Sequence, residues 1–193
     1  MSRIAYVNGR YIPHDQAEIP IDDRGYQFGD GIYEVVSVIN GNLADQEWHI
    51  DRMVYSLDQM NIPMPVTREA LKIIIKNMII MNKVKYGLVY FQVTRGVMKR
   101  DHAINALLKP QLVITAKTLP KLMQQSIEAV DVITVPDQRW QRRDIKTIQL
   151  LPNCMAKSKA VEAGAYEAWM VDSEGFITEG ASSNAWIVTK DGK

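Results

Sequence analysis

Lys146 stands in the stretch Trp140-Gln-Arg-Arg-Asp144-Ile-Lys146-Thr-Ile-Gln-Leu150-Leu, and Glu179, thirty-three positions later, stands in Thr178-Glu179-Gly180-Ala-Ser182-Ser183-Asn184. Most lysines are solvated surface residues. Lys146 differs in having Ile145, Ile148, Leu150 and Leu151 around it. Desolvation disfavours an ammonium, and Arg142 and Arg143 would disfavour it further if they point the same way. A neutral amine can attack an aldehyde and can take a proton from carbon. A turn glutamate such as Glu179 is by default a surface group. An amine that bonds an aldehyde and an acid that keeps a ring nitrogen protonated are nevertheless the two groups that chemistry on an aldehyde-bearing heterocycle requires.

A frame has to carry these groups, and its parts can be read along the chain. Residues 4–7 and 10–12 flank Asn8-Gly9, which predicts a hairpin with a type I′ turn. A loop from Asp22 to Gly31 follows, with three glycines in seven residues (Gly25, Gly29, Gly31), predicting close backbone approaches and positive φ angles. Residues 32–39 read as a β-branched strand that turns at Asn40-Gly41 into 42–44. Asp45 is the expected N-cap of a helix whose Ile50, Met53, Val54 and Leu57 fall at i, i+3, i+4, i+7. Pro63 and Pro65 end it, and Thr67 caps a second helix reaching to about Met81. Residues 86–94 and 111–117 read as strands joined by a polar loop. The stretch from Thr118 is linker-like. After it come a strand at 127–135, the Lys146 segment, a helix at about 153–163 stopped by Gly164, a hairpin of 166–171 and 176–178, and a last strand at 184–189. These elements predict an α+β protein with an N-terminal domain over 1–118, a linker over 119–125 and a second domain over 126–193.

Composition narrows the function classes. The apolar fraction of 47% can bury a core, and 23 basic against 22 acidic residues give no broad electrostatic case for nucleic acid. A single cysteine, Cys154, precludes an intrachain disulfide and fits a reducing, cytoplasmic setting. The first fifteen residues lack the apolar core of a leader. The most apolar run, 71–81, is interrupted by Lys72 and Lys76 and is too short to span a bilayer. Three histidines with no cysteine partner do not make a metal site.

Five segments, read in order, resemble one family. They are Arg24-Gly-Tyr-Gln-Phe-Gly-Asp-Gly-Ile-Tyr33-Glu-Val, His49-Ile-Asp-Arg52, Tyr90-Phe-Gln-Val-Thr-Arg95-Gly, Asp144-Ile-Lys146 and Thr178-Glu179-Gly-Ala-Ser-Ser-Asn184. The chain resembles the fold type IV pyridoxal-phosphate enzymes, and among them the D-amino-acid transaminases. The resemblance implies an antiparallel sheet with helices in the first domain and a β-rich, barrel-like second domain, with pyridoxal 5'-phosphate between them. It implies that Lys146 is the Schiff-base lysine, that Glu179 partners the pyridinium nitrogen, and that Arg52 binds the phosphate. Ser182 and Ser183 offer hydroxyls near Glu179, although serines after a turn often bond only their own backbone.

The resemblance further implies that Arg100 and His102, with Tyr33, bind the substrate α-carboxylate, and that their loop reaches the neighbouring subunit's site in a homodimer. A guanidinium and an imidazole give directional hydrogen bonds to a carboxylate. Val97-Met98-Lys99 departs from the smaller, proline-containing stretch of the family, which puts the loop's backbone path in question. Tyr90 and Trp140 also match family positions; Trp140 is expected to pack near the lysine. His49 reads as structural, and Asp144 is given no chemistry. The implied reaction is ping-pong transamination between a D-amino acid and a 2-oxo acid. Branched-chain L-amino-acid transaminases and aminodeoxychorismate lyases of the same fold are the alternatives, and both lack the Arg-x-His arrangement. Asp191-Gly192 after the last expected strand is a turn signal with no strand behind it, so the second domain is expected to be incomplete, with further phosphate ligands beyond residue 193. A non-catalytic fragment is then a further alternative.

Overall fold

A computed structural model describes residues 3–104, 107–119 and 129–192. The described residues gather into two compact units. Those within Met1–Gln125 and Asp144–Ile148 form the first, and those within Ser126–Arg143 and Gln149–Lys193 form the second. The linker expected at 119–125 lies outside the described residues from 120 onward, as do the first two residues of the strand expected at 127–135.

The first unit is built on a six-stranded antiparallel sheet. β1 (Ile4–Val7) and β2 (Arg10–Pro13) form the expected hairpin, and Asn8 and Gly9 both have the positive φ that a type I′ turn requires. β3 (Gly31–Ile39) and β5 (Tyr86–Thr94) pair along their whole lengths. β6 (Gln111–Thr118) joins β5 to β1, and β4 (Asn42–Leu43) covers only the Val38–Ile39 end of β3, giving the order β2-β1-β6-β5-β3-β4.

Side-chain alternation along the strands puts one face toward the helices. On β3 the buried set is Ile32, Glu34, Val36 and Val38, so a glutamate stands in an apolar row. Helix α2 (Gln46–Gln59) packs on β3 with Ile50, Met53 and Leu57. Helix α3 (Arg68–Met81) packs on β1, β5 and β6 with Leu71, Ile75 and Met78. Each fully buried Leu, Ile, Phe or Met of this kind contributes about 1.5–3 kcal/mol by leaving water. Thr67 caps α3 by accepting from the Ala70 amide.

Two local expectations fail here. Asp45 does stand at the N-cap position of α2, but with φ 52° and no side-chain cap hydrogen bond. The turn from β4 forces it into the left-handed region, where its carboxylate does not reach the first-turn amides. The Asp22–Gly31 segment is not all loop: it contains a short helix, α1 (Arg24–Phe28). Asp23 caps α1 by accepting from the Gly25 amide, and Gly29 ends it at φ 65°. At Gly25 a Cβ would lie 2.2 Å from the Thr94 side chain, so only glycine lets α1 lie against the end of β5.

The second unit has a three-stranded sheet of β7 (Val132–Pro136), β8 (Glu167–Val171) and β9 (Ile177–Gly180). β7 and β8 are parallel, and β8 and β9 are antiparallel with a bulge at Met170/Val171. A parallel pair needs a long crossover, and helix α4 (Leu151–Glu162) lies in that crossover and packs back on β8 around Ala156, Ala160, Ala168 and Met170. The helix starts two residues earlier than expected, with Pro152 in its first turn. The last expected strand is absent: 184–189 has no strand structure, and Trp186, Ile187 and Val188 are exposed. Its composition favours β structure, but a strand exists only through a partner's hydrogen bonds, and no strand among the described residues pairs with it. The α+β class holds for both units.

Candidate active site

Lys146 is held against the β3 edge that β4 leaves uncovered. The Tyr33 amide donates to the Lys146 carbonyl at 3.0 Å, the Ile148 amide donates to the Gly31 carbonyl at 3.1 Å, and Ile32 and Thr147 form an antiparallel bridge. Ile145 anchors the segment in the apolar core, and Asp144 accepts from the Tyr55 hydroxyl of α2 at 2.7 Å. Asp144, expected to carry no chemistry, thus ties the segment to the helix. The half-buried Lys146 side chain places Nζ 4.7 Å from the centre of the Tyr33 ring. Tyr33 in turn stacks on Tyr90 at 5.6 Å. Burial, with the neighbouring Tyr33, pushes the Tyr90 phenol up to about 12, so it stays a neutral donor, here to Gln92 at 2.6 Å. Of the apolar residues expected around Lys146, Leu151 is instead an exposed residue of α4, and Arg143 turns to Asp137 in the second unit.

Arg52 is gripped by Glu34. Its Nε and Nη2 donate to the two carboxylate oxygens at 2.7 and 2.6 Å, a fork-to-fork pair that uses two of the five guanidinium donors. His49 Nδ1 lies 2.8 Å from the same carboxylate. Glu34 has no exposed side-chain surface, whereas the Arg52 side chain is 45% exposed. Burial alone would raise the Glu34 pKa; the hydrogen bonds and charges of Arg52 and His49 outweigh it and hold the carboxyl below its usual range. His49 and Arg52 thus share Glu34, which the sequence did not single out and which orients both partners. Its position in the inward row of β3 was the available signal.

Arg100 and His102 are exposed, and both lie on one aromatic ring. The Arg100 guanidinium carbon is 4.6 Å from the centre of Phe28, and the His102 ring centre is 5.3 Å from it. Tyr33 and Lys146 meet directly within the first unit, while Arg100 and His102 form a separate group around Phe28.

In the second unit Glu179, on β9, contacts Arg139, which is itself bound to Asp137 through Nε (3.1 Å) and Nη2 (2.9 Å). Burial works against the Arg139 charge, but Asp137 and Glu179 outweigh it and raise its pKa. Asp137 also accepts from Thr178 at 2.7 Å and pairs with Arg143 at 3.1 Å. Burial would raise the Asp137 pKa, yet Arg139 and Thr178 hold it well below the carboxylate range. An open cleft of about 470 Å³ is lined by Arg139, Arg143, Thr178, Glu179 and Asn184 to Trp186. Ser182 and Ser183 point elsewhere. Each hydroxyl donates to Glu167 at 2.8 Å, and the Ser182 amide donates to the same carboxylate oxygen at 3.1 Å. A hydroxyl has one proton to give, so both serines act here as ties that fix the turn after Glu179. Burial would raise the Glu167 pKa, but its hydrogen bonds from Ala168, Ser182 and Ser183 lower it. Asp137, Arg139 and Glu167 were given no role at the site by the sequence, since each is completed by partners 15 or more residues along the chain.

Comparison with known proteins decides the family. The sequence profile of the class IV amino-transferases matches residues 31–193, which take in every group just described except α1. The chain belongs to the class IV aminotransferases. Its relatives include the D-alanine aminotransferase of Bacillus licheniformis, 40% identical over 186 residues, which are 95% of this chain and 65% of that protein. The chain spans about 65% of the length of the curated relatives that it matches. Among solved structures, the branched-chain aminotransferase of Thermoproteus uzoniensis with norvaline aligns with a TM-score of 0.85 over 98% of this chain and 66% of that one, at 21% identity. A hypothetical aminotransferase from Mycobacterium tuberculosis, in a PLP-bound form, aligns with a TM-score of 0.75 over 93% of this chain and 66% of that one, at 20% identity. At such identities the alignments establish the fold, that of the fold type IV aminotransferases. Lys146 lies in the first unit, against β3, and Glu179 lies on β9 of the second.

Proposed function

We propose that this chain serves a pyridoxal-phosphate-dependent transamination between a D-amino acid and a 2-oxo acid. The residues present suit that cofactor. An amine held at a fixed place by a backbone rung suits an aldehyde, an arginine oriented by a buried carboxylate suits a phosphate, and a half-exposed carboxylate backed by a guanidinium suits a ring nitrogen. Lys146 would bond the aldehyde carbon, Arg52 would hold the phosphate, and Glu179 would hold the ring nitrogen, with Ser182 and Ser183 contributing through the turn that Glu167 fixes. The bound cofactor supplies an electron sink for a carbon that loses its proton. Once the substrate's own amine has replaced it on the aldehyde carbon, the freed Lys146 amine would take the proton from the substrate Cα, and Tyr33 would keep it beside that carbon. Arg100 and His102 would bind the α-carboxylate in the site of a neighbouring subunit, where that subunit's Tyr33 completes the carboxylate set.

The observation that carries the D-amino-acid reading is the pair Arg100 and His102, both exposed and both seated on Phe28, in a chain 40% identical to a D-alanine aminotransferase. A homodimer and a cytoplasmic location go with this reading through the family. The test is a rate comparison on the purified protein with cofactor added: D-alanine against L-leucine, each with a 2-oxo acid acceptor. Faster turnover of D-alanine is expected. Faster turnover of L-leucine would overturn the reading in favour of a branched-chain transaminase. Absence of any amino transfer, with cofactor bound, would favour a fragment that only binds.

A further inference from the structure

Arg24 is among the most deeply buried charges of the first unit, with 4% of its surface exposed, yet none of the chemistry above uses it. Its Nε donates to Asp30 at 2.7 Å. Its Nη1 donates to the Asp101 carbonyl at 2.6 Å, and Nη2 reaches the His102 carbonyl at 3.5 Å. The guanidinium carbon also lies 4.8 Å from the centre of the Phe28 ring. One buried cation therefore touches two successive carbonyls of the loop that carries Arg100 and His102, those of Asp101 and His102, and the ring on which the loop's side chains rest.

The base of this arrangement is fixed independently. Asp30 also accepts from Arg95 Nε at 2.8 Å, and Arg95 is held by the Met60 and Asn61 carbonyls. The Arg24 amide donates to the Gly96 carbonyl at 2.9 Å, and the Met98 amide donates to the Asp22 carbonyl at 3.1 Å. Helix α1 is thus tied to the first residues of the loop before Arg24 reaches its far side. The loop bends at residues 99–100 and again at 102–103. With the carbonyls of 101 and 102 held, Arg100 and His102 fall on the same side, and both meet Phe28. A guanidinium is attracted to an aromatic face and loses little freedom there that it would keep in water.

We propose that Arg24 and Phe28 are positioning residues that hold Arg100 and His102 ready for the substrate carboxylate, Arg24 through the loop backbone and Phe28 as the platform for both side chains. This inference rests on the D-amino-acid reading given above for the pair, but its geometry can be measured without turnover.

The experiment uses Phe28→Leu, Phe28→Tyr and Arg24→Lys, with and without Arg100→Ala. The first readout is the His102 ring-proton resonance in the protein without substrate. It should move on Phe28→Leu, which removes the ring current, and stay near its place on Phe28→Tyr. The second is D-alanine kinetics. Phe28→Leu and Arg24→Lys should each raise KM by about tenfold with kcat within about twofold, and Phe28→Tyr should restore KM to within about twofold, because a misplaced carboxylate ligand weakens binding equally in ground and transition states. In the Arg100→Ala background the Phe28→Leu effect should shrink to about twofold or less, since coupled residues are not additive. An unmoved resonance, an unchanged KM, or an equal effect in both backgrounds would overturn the proposal. If Phe28→Leu does not fold, Arg24→Lys carries the same kinetic test. A moved resonance in Arg24→Lys, whose Phe28 ring is intact, in a protein that does not turn over D-alanine would uphold the positioning and sink the D-amino-acid reading instead.

Discussion

Tyr33 and Lys146 meet twice. The backbone amide of the tyrosine donates to the lysine carbonyl at 3.0 Å, and the lysine Nζ returns to lie 4.7 Å from the centre of that same tyrosine's ring. The first contact fixes where the segment runs along β3, and the second fixes where its amine ends. Lys146→Ala should therefore abolish amino transfer while leaving the sheet intact, since the backbone rung needs no side chain. Tyr33→Leu should keep the rung and release the amine, lowering kcat by about 10- to 100-fold, the order seen when a general base is misplaced. Steady-state kinetics with far-ultraviolet circular dichroism check both; full transaminase activity in Lys146→Ala would remove the lysine from the mechanism.

Glu34 should matter more to stability than its distance from the amine suggests. Its carboxylate is fully buried and holds two partners. Replacing it with alanine leaves Arg52 and His49 without their common acceptor and should cost about 1–3 kcal/mol in a urea unfolding experiment. Glu34→Gln should cost less, and should weaken cofactor binding by releasing Arg52 from its orientation. A loss below about 1 kcal/mol for the alanine variant would show that the buried pair contributes little.

The pair Glu179 and Asp137 should separate binding from folding. Asp137 is buried and gathers Arg139, Arg143 and Thr178, so Asp137→Ala should cost about 3–5 kcal/mol. Glu179 is 39% exposed, and Arg139 keeps Asp137 when Glu179 is removed, so Glu179→Ala should cost no more than about 1 kcal/mol. Cofactor titration should rank them the other way for direct effect: Glu179→Ala loses affinity without loss of fold. Thermal melts and the titration, run on the same samples, distinguish the two.

Acid should destabilise the chain through three carboxylates. Glu34, Asp137 and Glu167 all titrate below their ordinary range when folded. In the acid range the unfolded chain then binds more protons than the folded one, and stability rises with pH. Their contribution is fully present above the unfolded carboxylate values, at about pH 4.5, and is lost as pH falls through the folded values. The urea midpoint should be nearly flat from about pH 6 to 7 and fall steeply below about pH 4.5, with a shallower fall in Glu34→Gln. A midpoint that rises on acidification would contradict the assigned directions.

Local signals in the sequence translated well. Asn8-Gly9 gives its hairpin, Thr67 caps its helix, and the spacing of Ile50, Met53 and Leu57 gives the buried face of α2. Each depends on residues within a turn or two. Lys146 and Glu179 were singled out because their neighbours match a family, and that match also supplied the fold. Glu34 was not legible: its partners lie 15 and 18 residues away, on another element. Arg24 reads as one more charge in a glycine-rich loop, and only the return of the chain 77 residues later shows why it is buried. A five-residue helix such as α1 has no room for apolar periodicity, so Asp23 and Gly29 were its only marks. The β-branched run at 187–189 misled, because propensity describes a residue's preference, while a strand is a property of two chains side by side.

The rung between Gly31–Tyr33 and Thr147 belongs to the first unit, although the chain on both sides of Asp144–Ile148 belongs to the second. The two units are therefore not separable by one cut. A protease or an engineer dividing the polypeptide near residue 125 would retain the whole six-stranded sheet and hand Lys146 to the other piece. Any working recombination of this fold with a relative must exchange the short lysine segment together with the strand it leans on, as a matched pair drawn from one parent.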